Sequence, residues 1–481
     1  MPAETTRRYT SPPRKRGARG TVQTWGSWIP AFAGMRRSLL IPRNSLQAIV
    51  FALALAGAGQ AGAQLRADDG THLGVGSCAG NNCHSATERS EGSSVPQNEF
   101  SIWSKSDKHR RAYAVLLEER ALRIARNLSL PNAANAAMCL GCHADNVPAA
   151  RRGPRFQLAD GVGCEACHGG ASTWLGVHIS GARHAQNLAA GLYPTDQPAA
   201  RAGLCLSCHF GNPADDNRFV THRIMGAGHP PMGFELDTYT AVQPAHFVVD
   251  KSYIERKGPV DDVRVWAVGQ AVDLSKRMEA LLDPRRAPKG IFPELVMFDC
   301  QSCHQPFTPP QTGGDEAAGL SPGSLRLYDA NAVMLRVIAA RLAPAAGRSL
   351  STQMLGVQRA TSESWPAVQR EAREMRRVAN ALLPTLSSHD FTREDNRALA
   401  NGLIALGLGG EGMQYSAAEQ ATMALASIAS AAKSAGELSG QQAGGMSKAM
   451  NSLYGAFATD ETYHHEPFVK ALRELQRTVP R

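Results

Sequence analysis

Residues 160–169 read Asp160-Gly-Val-Gly-Cys164-Glu-Ala-Cys167-His168-Gly169, and the run from Cys164 to His168 decides how the chain is organised. Two cysteines separated by two residues are followed at once by a histidine. The pattern recurs at Cys139-Leu-Gly-Cys142-His143, Cys205-Leu-Ser-Cys208-His209 and Cys300-Gln-Ser-Cys303-His304. A wider version precedes them, Cys78-Ala-Gly-Asn-Asn-Cys83-His84. These five motifs use all 10 cysteines of the chain. Their chemistry is thioether attachment of haem: two thiols add to the two vinyl groups, and the adjacent histidine becomes the proximal ligand of the iron. Five covalent haem c groups are therefore expected, the first reached by bulging the longer spacer.

Two other readings compete and fail. Zinc ribbons use C-x-x-C pairs two at a time, leaving one of five over, and need no histidine after each pair. Disulfides across two-residue loops mark redox sites rather than structural staples.

Ten further histidines are available for the far side of the irons. His109, His178, His184, His222, His229 and His246 fall between the first and last motifs and are the candidate distal ligands. His109 is expected to open a helix running to about Asn127. His222 and His229 bracket a segment in which Gly226 and Gly228 permit close backbone approach and Pro230 and Pro231 fix the exit. Met225 and Met232 are alternative ligands that would raise the potential. The sequence does not pair particular histidines with particular haems. His72, His389, His464 and His465 lie outside the haem region, and structural roles are expected for them.

Composition bounds the rest. The chain has 481 residues with 43% hydrophobic and 19% charged side chains, which excludes a disordered tail. Aromatics are only 6%, so a protein-only core would be thin and the cofactors are expected to fill it. Of the net charge of +9, residues 1–63 supply +8, with nine basic side chains against Glu4. A basic nucleic-acid surface is therefore not expected. Arg36, Arg37 and Arg43 precede an apolar run from Ala48 to Ala58 and then Ala61-Gly62-Ala63, the layout of a secretory signal peptide cleaved after about Ala63. Residues 1–34 do not fit such a peptide and read as a mis-called extension ahead of Met35. Export to the periplasm, with no membrane anchor after cleavage, agrees with haem attachment outside the cytoplasm.

The expected architecture is mainly α: signal peptide 35–63, a haem-organised multihaem cytochrome domain with long loops over 64–310, a Pro/Gly linker over 311–324, and a cysteine-free C-terminal helical bundle over 325–481. In the bundle, Val368, Ala372, Met375, Ala379 and Leu382 recur at three- and four-residue intervals, one buried helix face. Ser416-Ala-Ala-Glu419 reads as a capping box, and about four to six helices are expected. The bundle either shields the haem domain or docks a redox partner. The basic cluster Arg370, Arg373, Arg376 and Arg377, interleaved with Glu371 and Glu374, reads as a solvated helix face.

The chain resembles the multihaem cytochromes of the cytochrome c-554 type, tetrahaem electron carriers and their bacterial relatives. The resemblance rests on Cys78 to His84; on Gln97-Asn98-Glu99-Phe100 with Trp103 and His109; on Asp160 to Gly169; and on Ala227-Gly228-His229-Pro230 leading to Phe234-Glu235-Leu236-Asp237. Phe298 to His304 adds to it, and the whole covers roughly residues 76–306. It implies electron transfer with redox partner proteins, closely stacked haem pairs, and distal-ligand roles for His109 and His229. His178, His184 and His222 also match recurrent histidines there. The departures are a fifth motif and the longer first spacer. The tetrahaem type leaves one iron without a distal protein ligand, so the alternative is a multihaem oxidoreductase whose open iron acts on a small nitrogen or sulfur oxo compound. A further alternative is a subunit of a larger respiratory complex.

Overall fold

The computed structural model of the chain describes residues 70–88, 95–288, 293–304, 320, 324–409, 414–457, 463 and 465–478. The expected signal peptide, its cleavage point, the N-terminal extension, His464 and nearly all of the expected linker lie outside these residues. The protein is mainly α. Among the described residues the β structure is limited to three isolated bridges, His72 with Arg152, Gly211 with Phe219 and Phe298 with Leu327. No described helix is long and apolar enough to cross a membrane.

In the N-terminal half, short helices carry the motifs. Ala137–His143, Cys164–His168 and Pro198–His209 each end on the histidine of their motif, and Pro198 pre-sets the first turn of the third. The expected helix from His109 to Asn127 is broken. Helix Glu99–Ser106 stops at Asp107, and two short 3-10 turns, Lys108–Arg111 and Ala114–Leu117, precede helix Glu119–Asn127. Asp107, just ahead of the run, caps the turn at His109 by accepting its N–H, and Glu118, inside the run, adopts extended backbone and restarts the chain as helix Glu119–Asn127. The carboxylate of Glu165, between the cysteines of the third motif, is buried and accepts the N–H groups of Leu73, Gly74 and Ala171, each at 2.7 Å. It thereby ties the segment leading into Cys78 to the third motif.

The C-terminal half has seven described helices: Ala330–Leu342, Pro344–Ala360, Trp365–Ser388, Arg393–Leu408, Tyr415–Ser434, Gly440–Gly455 and His465–Gln476. Val368, Ala372, Met375, Ala379 and Leu382 are all buried, with Ser364 capping the helix through the Ala367 N–H. Ser416 does not cap its helix. Gln414 is the N-cap, and the Ser416 hydroxyl donates instead to the buried Asp299 carboxylate. A tertiary acceptor outcompetes the local one. Arg370 and Arg377 pair with Glu371 and Glu374 on the exposed face, while Arg376 reaches Glu279 of another helix.

The packed core crosses the boundary expected at 310–325. Helix Asp262–Leu282, from the haem half, packs chiefly against Trp365–Ser388 and also against Pro198–His209 and Ala330–Leu342. A buried polar chain threads the junction. Gln420 donates to the Phe234 carbonyl, Gln270 to Gln420 and Asn331 to Gln270, each at 2.8 Å. Arg277 donates to Asn331 at 2.9 Å and to Asp273 at 2.8 Å. The Arg277 guanidinium also lies 3.8 Å over the Tyr328 ring and 4.9 Å from the Phe210 ring.

Candidate haem centres

Each motif histidine faces a second histidine across a gap. The ring centres are 6.1 Å apart for His84 and His178, 6.2 Å for His109 and His209, and 6.4 Å for His143 and His229. They are 6.3 Å apart for His168 and His246, and 6.2 Å for His222 and His304. The separation is too long for direct ring packing and uniform to a few tenths of an ångström. An imidazole nitrogen binds a transition metal at about 2 Å and its ring centre lies about 1 Å further out, so two imidazoles on one metal have centres about 6 Å apart. The donors at each gap are only two. Among the described residues no three His, Cys, Asp or Glu side chains converge on a point, so the gaps are not bare-metal sites. A macrocycle supplying the remaining donors fits them.

The ring planes fall into two classes. They are nearly parallel for His84 with His178 (15°) and tilted by 30° for His222 with His304. They are nearly perpendicular for His109 with His209 (90°), His143 with His229 (87°) and His168 with His246 (88°).

Local structure aims these rings. His109 is held by the Asp107 cap, and its Nδ1 is 3.0 Å from the same carboxylate oxygen. His84 Nδ1 lies 2.8 Å from Glu99 Oε2. His143 Nδ1 donates to the Ala112 carbonyl and His229 Nδ1 to the Pro230 carbonyl, both at 2.8 Å. The Pro244 carbonyl holds the His246 ring. Gly228, at φ +116°, gives the chain entering His229 a conformation that L side chains avoid, and Arg120 donates to its carbonyl. At Gly226 a Cβ would meet no protein atom within 4 Å. Burial pushes His209, His229 and His246 down, which keeps them neutral as ligation requires. Hydrogen bonds to Glu99 and Asp107 push His84 and His109 up. Burial opposes ionisation of Asp107, but bonds from the His109 ring, Gln243 and the His109 N–H hold it down to about 2.

His184 is the candidate that stands apart. Its Nε2 is 3.0 Å from Asp196 Oδ2, and it is opposite none of the motif histidines. A nearby carboxylate takes the nitrogen that would ligate. His72 and His389 likewise engage Asp145 and Asp395. The methionine alternative finds no support, because His222 and His229 on either side of Met225 already face motif histidines.

The ten cysteines form no disulfide, and Cys83, Cys300 and Cys303 are exposed. In the wide first motif, a turn closed by the Cys83 N–H on the Gly80 carbonyl at 2.8 Å takes up the two extra residues. Cysteines of different motifs also meet. The Cys78 thiol lies beside that of Cys164, and that of Cys142 beside that of Cys208. The first and third sites are therefore neighbours, as are the second and fourth. Sequence reading missed Glu99, Asp107 and Glu165 as supporting residues. Glu99 stands inside the quoted Gln97–Phe100 segment and Asp107 two residues before His109, but nothing in the sequence states what their carboxylates touch.

Paired thiols beside a histidine that faces a metal-sized gap define a c-type cytochrome, a protein with covalently bound haem c. Residues 77–169 match the family model described as cytochrome c554 and c-prime, so this segment is similar to c-type cytochromes of the c-554 type. No curated protein and no solved structure matches the chain.

Proposed function

We propose that the protein is a periplasmic pentahaem cytochrome that relays electrons between redox partner proteins through five bis-histidine haems. The observation that carries this reading is the set of five histidine pairs at one separation. Bound haem supplies reversible one-electron iron chemistry. His84, His143, His168, His209 and His304 serve as proximal ligands, with His178, His229, His246, His109 and His222 respectively on the far side. Cys78 and Cys83, Cys139 and Cys142, Cys164 and Cys167, Cys205 and Cys208, and Cys300 and Cys303 hold the vinyl groups. With both axial positions taken at each iron, these residues leave small molecules no ligation site. That favours a carrier over an oxidoreductase with an open iron.

The test is haem quantitation with absorption and electron paramagnetic resonance spectroscopy of the oxidised, exported protein. Five covalent haems, all low-spin and indifferent to carbon monoxide and cyanide, are expected. A high-spin fraction near one haem in five, or four haems, would overturn the reading. His178→Ala is expected to create one high-spin haem, and His184→Ala none.

A further inference from the structure

The five ligand pairs differ in what stands behind them. Where a ligating histidine uses Nε2 on the metal, its Nδ1 carries the proton and donates it outward, and the acceptor sets how strongly the ring gives electron density to the iron. Carboxylates stand behind two sites. Glu99 Oε2 backs His84 at the first, and Asp107 Oδ1 backs His109, which faces His209 at the fourth. At the second site both rings donate to neutral backbone carbonyls, of Ala112 and Pro230. Cys78 meets Cys164 and Cys142 meets Cys208, so the first site neighbours the third and the second neighbours the fourth. The second and fourth sites thus join a carbonyl-backed site to a carboxylate-backed one.

Resting on the bis-histidine reading above, we propose that Glu99 and Asp107 are positioning residues that lower the potentials of the first and fourth haems, so that the neighbouring second and fourth haems hold a built-in potential step. A carboxylate draws the Nδ1 proton and gives the imidazole partial imidazolate character, which stabilises ferric over ferrous iron. A carbonyl does so less. Asp107 is only 6% exposed, so its charge acts on His109 with little screening by water. Its other oxygen accepts from Gln243 Nε2 at 2.9 Å, which draws part of that charge away. Removing Gln243 as a donor should therefore strengthen the pull on His109.

The ring planes make the two sites separately visible. Parallel imidazole planes split the iron dπ orbitals and give a rhombic low-spin signal; perpendicular planes leave them nearly degenerate and give a signal with one very large g value. His84 with His178 belongs to the first class and His109 with His209 to the second. The experiment is a redox titration of the holoprotein followed by electron paramagnetic resonance. Glu99→Gln should raise the midpoint of one rhombic component. Asp107→Asn, which keeps a capping side chain, should raise one large-g component. Gln243→Met should lower that same component, an opposite sign that a merely structural role would not produce. Unshifted midpoints in variants with wild-type spectra would overturn the proposal, as would shifts in the wrong class or Gln243→Met moving upward. If Asp107→Asn does not fold, Gln243→Met and Glu99→Gln decide alone. A high-spin component or a missing haem in the wild-type protein would instead overturn the underlying bis-histidine reading.

Discussion

Between Leu116 and Ala144, the packed apolar cluster has seven buried side chains, five of them alanine. Helix Asp262–Leu282, by contrast, buries thirteen of its 21 residues and anchors a core running from Ala202 to Leu475. The first region is held by point contacts: Glu165 on three N–H groups, Asp107 on His109, carbonyls on imidazoles. The second is held by continuous side-chain packing with one buried polar thread. The N-terminal half leaves its interior to cofactors, and the C-terminal half completes its own.

That contrast breaks most visibly when the haem is withheld. Full-length chain produced without haem attachment should lose native order in the motif region and be cleaved readily by protease between about residues 70 and 210. The region from Asp262 to Thr478 should resist at the same dose, as mass spectrometry of the fragments would record. Equal resistance of the two halves would mean that protein contacts alone order the first.

Asp273→Ala sharpens the comparison from the other side. It removes the carboxylate paired with buried Arg277 and leaves an uncompensated charge in the core, at a cost of about 3–5 kcal/mol. Chemical denaturation followed by helical circular dichroism should show the loss in the bundle transition, with the haem absorption of the folded protein unchanged.

The smallest effect concerns Asp395, whose carboxylate accepts from Thr392, Arg341 and His389. Burial opposes its ionisation, yet these bonds hold it well below the usual carboxylate range. A depressed acid contributes its stability fully above its unfolded value, near pH 4, and loses it as the pH falls through the folded value. Asp395→Asn should therefore cost about 1 kcal/mol near neutrality and progressively less in acid. A difference that grew as the pH fell would contradict this account of the residue.

Helix content and the attachment chemistry were legible in the sequence because both are local. C-x-x-C-H needs five consecutive residues, and the stripe from Val368 to Leu382 follows helical periodicity. The wide first motif was legible for the same reason, its extra residues folding into one turn. Local rules failed at two helix starts. Glu118 adopts extended backbone inside the helix expected from His109, and Ser416 leaves its capping role for a tertiary partner, Asp299.

The sequence by itself determined that this chain is helical, carries four C-x-x-C-H motifs and a wider-spaced fifth, and offers six further histidines between the first and last of them. Only the tertiary structure decided which of them meet. His84 and His178 are 94 positions apart, His109 and His209 exactly one hundred, and no periodicity relates residues at such distances. The structure likewise set His184 beside Asp196 rather than opposite a motif histidine, and put carboxylates behind two rings and carbonyls behind others. Ligand pairing and hydrogen-bond partners are properties of positions in space, fixed when the chain packs, whereas covalent attachment is written in adjacent residues.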